Sequence, residues 1–225
     1  MLRSILCCCV LVLQPQIGLG TELEQGIVYY QSGKVDQALG VWKTLSKQGD
    51  AGAQLLLGTH FYHHKKYKQA ATYFDKAAQS GNADAQFQLA LLYDKGLGVE
   101  KNLQIAARLY TAAARQGLAS AQNSLATLYA NGLGVDKDLA QAVKWYLRAA
   151  KQQHNGAQLN LARMHMEGKG VMKSEAQALL WLKKSAKNGN KIAQRMLAKA
   201  YDAGWLNLPR DPKKAQYWHE KAATP

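Results

Sequence analysis

The stretch GLASAQNSLATLYANGLGV, Gly117–Val135, decides the fold. Ala121, Leu125 and Tyr129 fall at i, i+4 and i+8, a stripe down one face of a helix rather than the alternation of a strand. Gly132 then ends the run with a residue that takes the left-handed conformation at no steric cost, and Val135 can fold back as an apolar plug. Asp138 follows, a side chain able to accept hydrogen bonds from the free N–H groups that open a second helix. The stretch reads as helix, turn, helix.

The pattern recurs in both directions. Ala-Gln recurs in register at Ala53, Ala85, Ala121, Ala157 and Ala193, at spacings of 32, 36, 36 and 36 residues. A leucine follows each alanine by four places (Leu57, Leu89, Leu125, Leu161, Leu197) and a ring by eight (Phe61, Tyr93, Tyr129, His165, Tyr201). The glycine-x-glycine-valine turn repeats at Gly96 and Gly168, Asn102 and Ser174 stand where Asp138 stands, and Asp211, one residue late, provides the same cap with Pro212 at the first helical position. Second helices carry Ala106, Ala142 and Ala178, and Trp42, Trp145, Trp181 and Trp218 are read as equivalent core positions within them. A helix pair cannot bury its own apolar stripe, whereas stacked pairs form a continuous core. Two departures mark the end of the array: Gln153 replaces an inter-repeat glycine, and Gly204-Trp205-Leu206-Asn207 replaces the glycine-valine turn.

From about Leu23 to Ala223 the sequence resembles the SLR (Sel-one-like repeat) branch of the tetratricopeptide superfamily. The resemblance implies an all-α, right-handed superhelical solenoid of helix-turn-helix repeats, an α/α superhelix. About six pairs are expected: two short ones at 21–49 and 50–81, three of 36 residues at 82–117, 118–153 and 154–189, and a last at 190–225.

Residues 1–20 differ from the rest. Arg3, the apolar run Ile5–Leu13 and the small residues Gly18 and Gly20 read as a signal peptide cleaved before Thr21, so that the protein is periplasmic or secreted. Cys7, Cys8 and Cys9 all lie in that run, leaving a cleaved chain with no disulfide and no thiol nucleophile. The formal charge is +14 and unevenly placed. Residues 21–140 hold 12 Lys and Arg against 10 Asp and Glu, and residues 141–225 hold 16 against 5, a net of +11. The C-terminal part is therefore expected to meet something acidic. Charge alone does not name the polyanion: an export signal argues against nucleic acid, while an anionic membrane surface suits the same cations.

No catalytic, cofactor or metal site is expected. His60, His63 and His64 include an i, i+4 pair, but no carboxylate lies near them in sequence, and they are read as a solvated helix end. Serines lack a nucleophile-elbow context, and Gly-x-Gly occurs only between helices, with no preceding strand. The resemblance places first helices on the concave face and assigns it two columns. One is Leu55, Phe87, Asn123, Leu159 and Arg195; the other is Thr59, Leu91, Thr127, Arg163 and Lys199. They describe a groove apolar at its N-terminal end and positive at its C-terminal end, where Arg163, Arg195 and Lys199 suit carboxylates or phosphates. The implied function is non-enzymatic docking of an acidic protein by a monomeric solenoid. Exported SLR proteins of this size include immunity proteins that neutralise phospholipase toxins of type VI secretion, and others look like envelope-assembly or signalling adaptors. Cysteine-rich members have been credited with penicillin binding or weak β-lactamase activity, for which this chain carries neither the cysteines nor a serine-lysine motif.

Overall fold

The computed structural model describes residues 19–224, so the signal-peptide reading lies almost wholly outside the described residues. They form six helix pairs: α1 (Leu19–Gln31) with α2 (Val35–Lys47), α3 (Ala51–His63) with α4 (Tyr67–Gln79), and α5 (Ala83–Lys95) with α6 (Leu103–Arg115). There follow α7 (Ala119–Asn131) with α8 (Leu139–Lys151), α9 (Asn155–Glu167) with α10 (Glu175–Lys187), and α11 (Lys191–Ala203) with α12 (Pro212–Ala223). No strand occurs among the described residues. The two helices of each pair pack on one another, and the second helix of each pair packs on the first helix of the next, which gives a solenoid of two layers.

The local chemistry explains the boundaries. Gly96, Gly132, Gly168 and Gly204 end first helices in the left-handed conformation. The side chains of Asn102, Asp138, Ser174 and Asp211 accept the backbone N–H three residues on. First helices are capped as well, by Asp50, Asn82, Asn190 and, through its ring Nδ1, His154. Both departures at the end of the array keep the path of the chain. Gln153 adopts the positive φ (64°) of the glycine it replaces. Trp205 N–H still bonds Ala200 O, and Asp211 N–H closes the last turn on Tyr201 O, as Asn102 N–H closes on Tyr93 O.

The second turn glycine has a packing role. A Cβ at Gly98, Gly134 or Gly170 would collide with backbone at the start of the second helix one repeat earlier, at Tyr67, Leu103 and Leu139 respectively. In the last repeat Leu206 holds this place, buried and at φ 57°, in a turn one residue longer.

The core runs the length of the array through alanines with no exposed surface, Ala53, Ala85, Ala121, Ala157 and Ala193 among them. One expected equivalence needs correction. Trp42 lies four residues after Ala38, in register with Phe74, Tyr110 and Tyr146, whereas Trp145, Trp181 and Trp218 lie three residues after their alanines, in register with Tyr73. Gly58 faces the Phe74 ring, where a Cβ would come within 2.5 Å, and later repeats put Ala90 and Ala126 at this place.

In each of the five first-helix Ala-Gln pairs the glutamine (Gln54, Gln86, Gln122, Gln158, Gln194) is buried and donates from Nε2 to a carbonyl eight residues back, at the end of the preceding second helix: Ser46, Ala78, Ala114, Ala150 and Ala186, at 3.0–3.3 Å. In three repeats its oxygen accepts from the residue that ends the repeat's own second helix: Gln116 to Gln86, Gln152 to Gln122 and Asn188 to Gln158, at 2.9–3.0 Å. Each such glutamine ties the C-terminal ends of two successive second helices together. Ser80 holds the corresponding place in the second repeat, where its side chain is too short to reach, and the oxygens of Gln54 and Gln194 are buried without a partner among the described residues.

Candidate functional site

The expected columns follow the first helices from α3 to α11, and their members fare differently. Leu55, Phe87, Leu91, Asn123 and Thr127 are half-buried. Phe87 packs against the Tyr110 ring at 5.8 Å between centroids. Asn123 Oδ1 accepts from Asn160 at 3.3 Å, and the Thr127 hydroxyl pairs with Tyr146 at 2.9 Å. The middle of the face is thus engaged in holding neighbouring helices together. Leu159 is 4% exposed and belongs to the core, which corrects its assignment to the groove lining. An aliphatic chain in this half-covered column gains by sinking between helices, while Arg195 in the same column stands in water.

Arg163, Arg195 and Lys199 are exposed on α9 and α11, and none enters an ion pair among the described residues. Burial raises the Tyr146 hydroxyl above its ordinary pKa, opposed by the Thr127 hydrogen bond and by the positive charge of Arg163. Beside Arg163 a cleft of about 390 Å³ lies between α9, α11 and the last turn, lined by Met166, Met196, Leu206 and Trp205, the last 43% exposed. Its rim carries Lys173, Glu175 and Glu167, the last paired with Lys169 at 2.5 Å. Leu206, which stands in place of the glycine that seats earlier turns on the preceding second helix, and Glu175, the first residue of α10, both line this cleft.

A second cleft, of about 240 Å³, occupies the equivalent place at the other end. Ile27, Tyr30 and Gln31 of α1 and Leu56 of α3 stand where Arg163, Met166, Glu167 and Met196 stand in the first. Its other walls are Trp42, Thr59, His60 and His63. Contrary to the reading of a solvated helix end, His60 is buried, with Nδ1 3.3 Å from the Tyr30 hydroxyl. Burial, then the neighbouring His64, lowers its pKa and favours the neutral ring. The physical reason is register: thirty-two residues on, the same place is the buried Leu92. Trp42 Nε1 is buried with no partner among the described residues.

Four Sel1 repeat matches cover residues 83–118, 119–154, 156–190 and 191–224. The chain belongs to the Sel1 repeat family. A tetratricopeptide repeat model covers residues 23–92, most of the two short pairs and of the first helix of the third. The Sel1 repeat protein of Oxalobacter formigenes is 32% identical and superposes with a TM-score of 0.80, over 89% of this chain and 84% of that one. The protective antigen c5321 of uropathogenic Escherichia coli, which displays an SLR fold, is 31% identical with a TM-score of 0.79 over 91% of this chain; this chain spans 45% of its length. A Klebsiella pneumoniae sel1 repeat protein, 22% identical over 80% of this chain and 89% of that one, shares the fold with a TM-score of 0.54. No curated protein matches the sequence.

A Sel1 repeat solenoid is suited to protein–protein interaction and is typically a non-catalytic scaffold. Among the described residues no three His, Cys, Asp or Glu side chains converge to hold a metal ion, and no helix is long and apolar enough to cross a membrane. Sequence reasoning found the cations of the face and missed both clefts. Trp205 and Leu206, the signals for the first, were visible as a departure from the turn pattern.

Proposed function

We propose that this Sel1 repeat protein docks an acidic segment of a protein partner along its first-helix face. The observation that carries the reading is the group Arg163, Arg195 and Lys199: three exposed cations on adjacent first helices, free of ion pairs among the described residues, beside a cleft with an exposed tryptophan. Cations next to an apolar recess suit a carboxylate that sits beside an aromatic or aliphatic side chain. At the far end the equivalent cleft is lined by Ile27, Tyr30, Leu56 and Trp42, which suits an apolar side chain of the same segment. Residues 1–20 support the further proposal that the chain works outside the cytoplasm after cleavage before Thr21. Two settings use such a surface without chemistry: neutralising a secreted toxin such as a phospholipase, and holding an envelope assembly. A gene for an exported toxin beside this one favours the first.

The test uses Arg163→Ala, Arg195→Ala and Lys199→Ala together. Against the partner, captured by cross-linking and then purified, calorimetry should show a loss of about 2–5 kcal/mol, since contacts that a partner shields from water cost that much when one side is removed. Helicity and melting should be unchanged. Wild-type affinity in the folded triple variant refutes the groove.

A further inference from the structure

The C-terminal charge excess lies mostly away from the groove. Of the sixteen cations after residue 140, nine are on the second helices α8, α10 and α12, and three are in the expected columns. On the outward stripe of α8 and α10 stand Lys144, Arg148, Lys151, Lys184 and Lys187, all exposed. α6 adds Arg108 and Arg115 to the same stripe, and α12 adds Lys221. Neither α6 nor α8 contains a carboxylate; α10 has only Glu175 and α12 only Glu220, which accepts from Gln216 at 3.0 Å. None of the eight stripe cations forms an ion pair among the described residues. By contrast α2 and α4 carry Asp36 and Asp75, and their stripe is nearly uncharged, with Lys47 and Lys76 its only cations.

We infer that the outer face of α6, α8, α10 and α12 is a docking surface for a membrane that presents anionic phosphate headgroups. Lys144 to Lys151 spans roughly 10 Å along its helix, and four stacked pairs at roughly 10 Å each extend the field to about 30 Å, a carpet rather than a row. Arg148 lies 4.4 Å over the Trp145 ring and Lys184 4.5 Å over Trp181, so the cations are held on aromatic supports with their charge outward. Leu180 and Tyr217 are exposed within the same field, where they have a use at the boundary of headgroups and acyl chains and none against a nucleic-acid backbone. Between α8 and α10 a recess of about 350 Å³, bordered by Lys151, Lys184, Lys187 and Trp181, gives a headgroup phosphate a seat. The inference is independent of the groove, which would stay open to a protein while this face meets the membrane.

The test is co-sedimentation of the full chain with vesicles of equimolar phosphatidylglycerol and phosphatidylcholine, against vesicles of phosphatidylcholine alone. The apolar run 5–13 acts on both vesicle types, so the difference between them reads the charge. Clustered basic residues at an anionic surface are each worth roughly fivefold in partition, so Lys144→Gln, Lys151→Gln, Lys184→Gln and Lys187→Gln together should reduce anionic-vesicle binding at least about a hundredfold. Glutamine keeps the helix propensity of lysine. The groove triple variant should bind vesicles as wild type does. Should the quadruple variant fail to fold, the wild-type chain decides: its binding should be lost at salt on the order of 0.5 M. Equal wild-type partition into both vesicle types, an undiminished quadruple variant, loss of vesicle binding in the groove variant, or tighter binding to duplex DNA than to the vesicles would each overturn the inference.

Discussion

Replacing Gln122 by leucine removes two hydrogen bonds from the middle of the array, Nε2 to Ala114 O at 3.1 Å and Gln152 Nε2 to Oε1 at 2.9 Å. Gln122 is 4% exposed, so neither bond is replaced by water at the same site. The groups left behind are not stranded. Ala114 O keeps the Gly117 N–H at 3.1 Å, and the exposed Gln152 amide turns to solvent. The cost is therefore the net worth of two bonds, each about 1 kcal/mol, partly offset by burial of the leucine, or roughly 1–2 kcal/mol in all. For a chain of this size that lowers the melting temperature by about 3–6 °C. Thermal and urea unfolding followed by circular dichroism of Gln122→Leu, Gln152→Ala and the double variant should give a coupling energy of about 1 kcal/mol. A coupling near zero would refute the claim that the glutamine joins one second helix to the next. Gln194→Leu, which loses only the bond to Ala186, should cost about half as much.

Two further outcomes follow from the same geometry. Ser80→Gln places an amide where Gln116, Gln152 and Asn188 carry one, within reach of the unpartnered Gln54 oxygen; it should raise stability by about 0.5–1.5 kcal/mol, and an unchanged denaturation midpoint would count against the reach assumed here. His154 Nδ1 must be unprotonated to accept the Ala157 N–H at 3.1 Å, and burial holds its pKa below the ordinary histidine value. The unfolded chain then takes up the proton more readily, so this contribution is complete above about pH 6.5 and is lost as pH falls through the folded value. The melting temperature should drop between about pH 7 and pH 5, less steeply in His154→Asn, which caps without titrating, with the remainder carried by His60; an identical slope in the variant would exclude the cap.

The repeat was legible because packing writes itself at fixed spacing: the alanine-leucine-ring stripe, the turn glycines and the caps at Asn102, Asp138, Ser174 and Asp211 are local rules. What escaped depends on neighbours in space. The recurrence of Ala-Gln was plain, yet the carbonyl each glutamine serves becomes visible only when the end of the preceding helix is folded against it. His60, read with His63 and His64 as a solvated helix end, is in register with Leu92, which already placed it inside. Trp42 was aligned by its size with Trp145, one residue out of phase. The charge excess was legible as a number but not as a surface, because a total over 85 residues carries no direction: nine of its sixteen cations lie on second helices.

The glutamine tie is complete in the three middle Ala-Gln repeats and half-made in those on either side. Mechanically this is a stiff bar with compliant ends, since bending at the middle must break amide pairs that the ends lack. The two clefts of the first-helix face lie at those ends, one between α1 and α3 and the other between α9 and α11. A partner docked at both, as proposed, would meet ends that lack the full tie, while the tied middle sets the distance it must span.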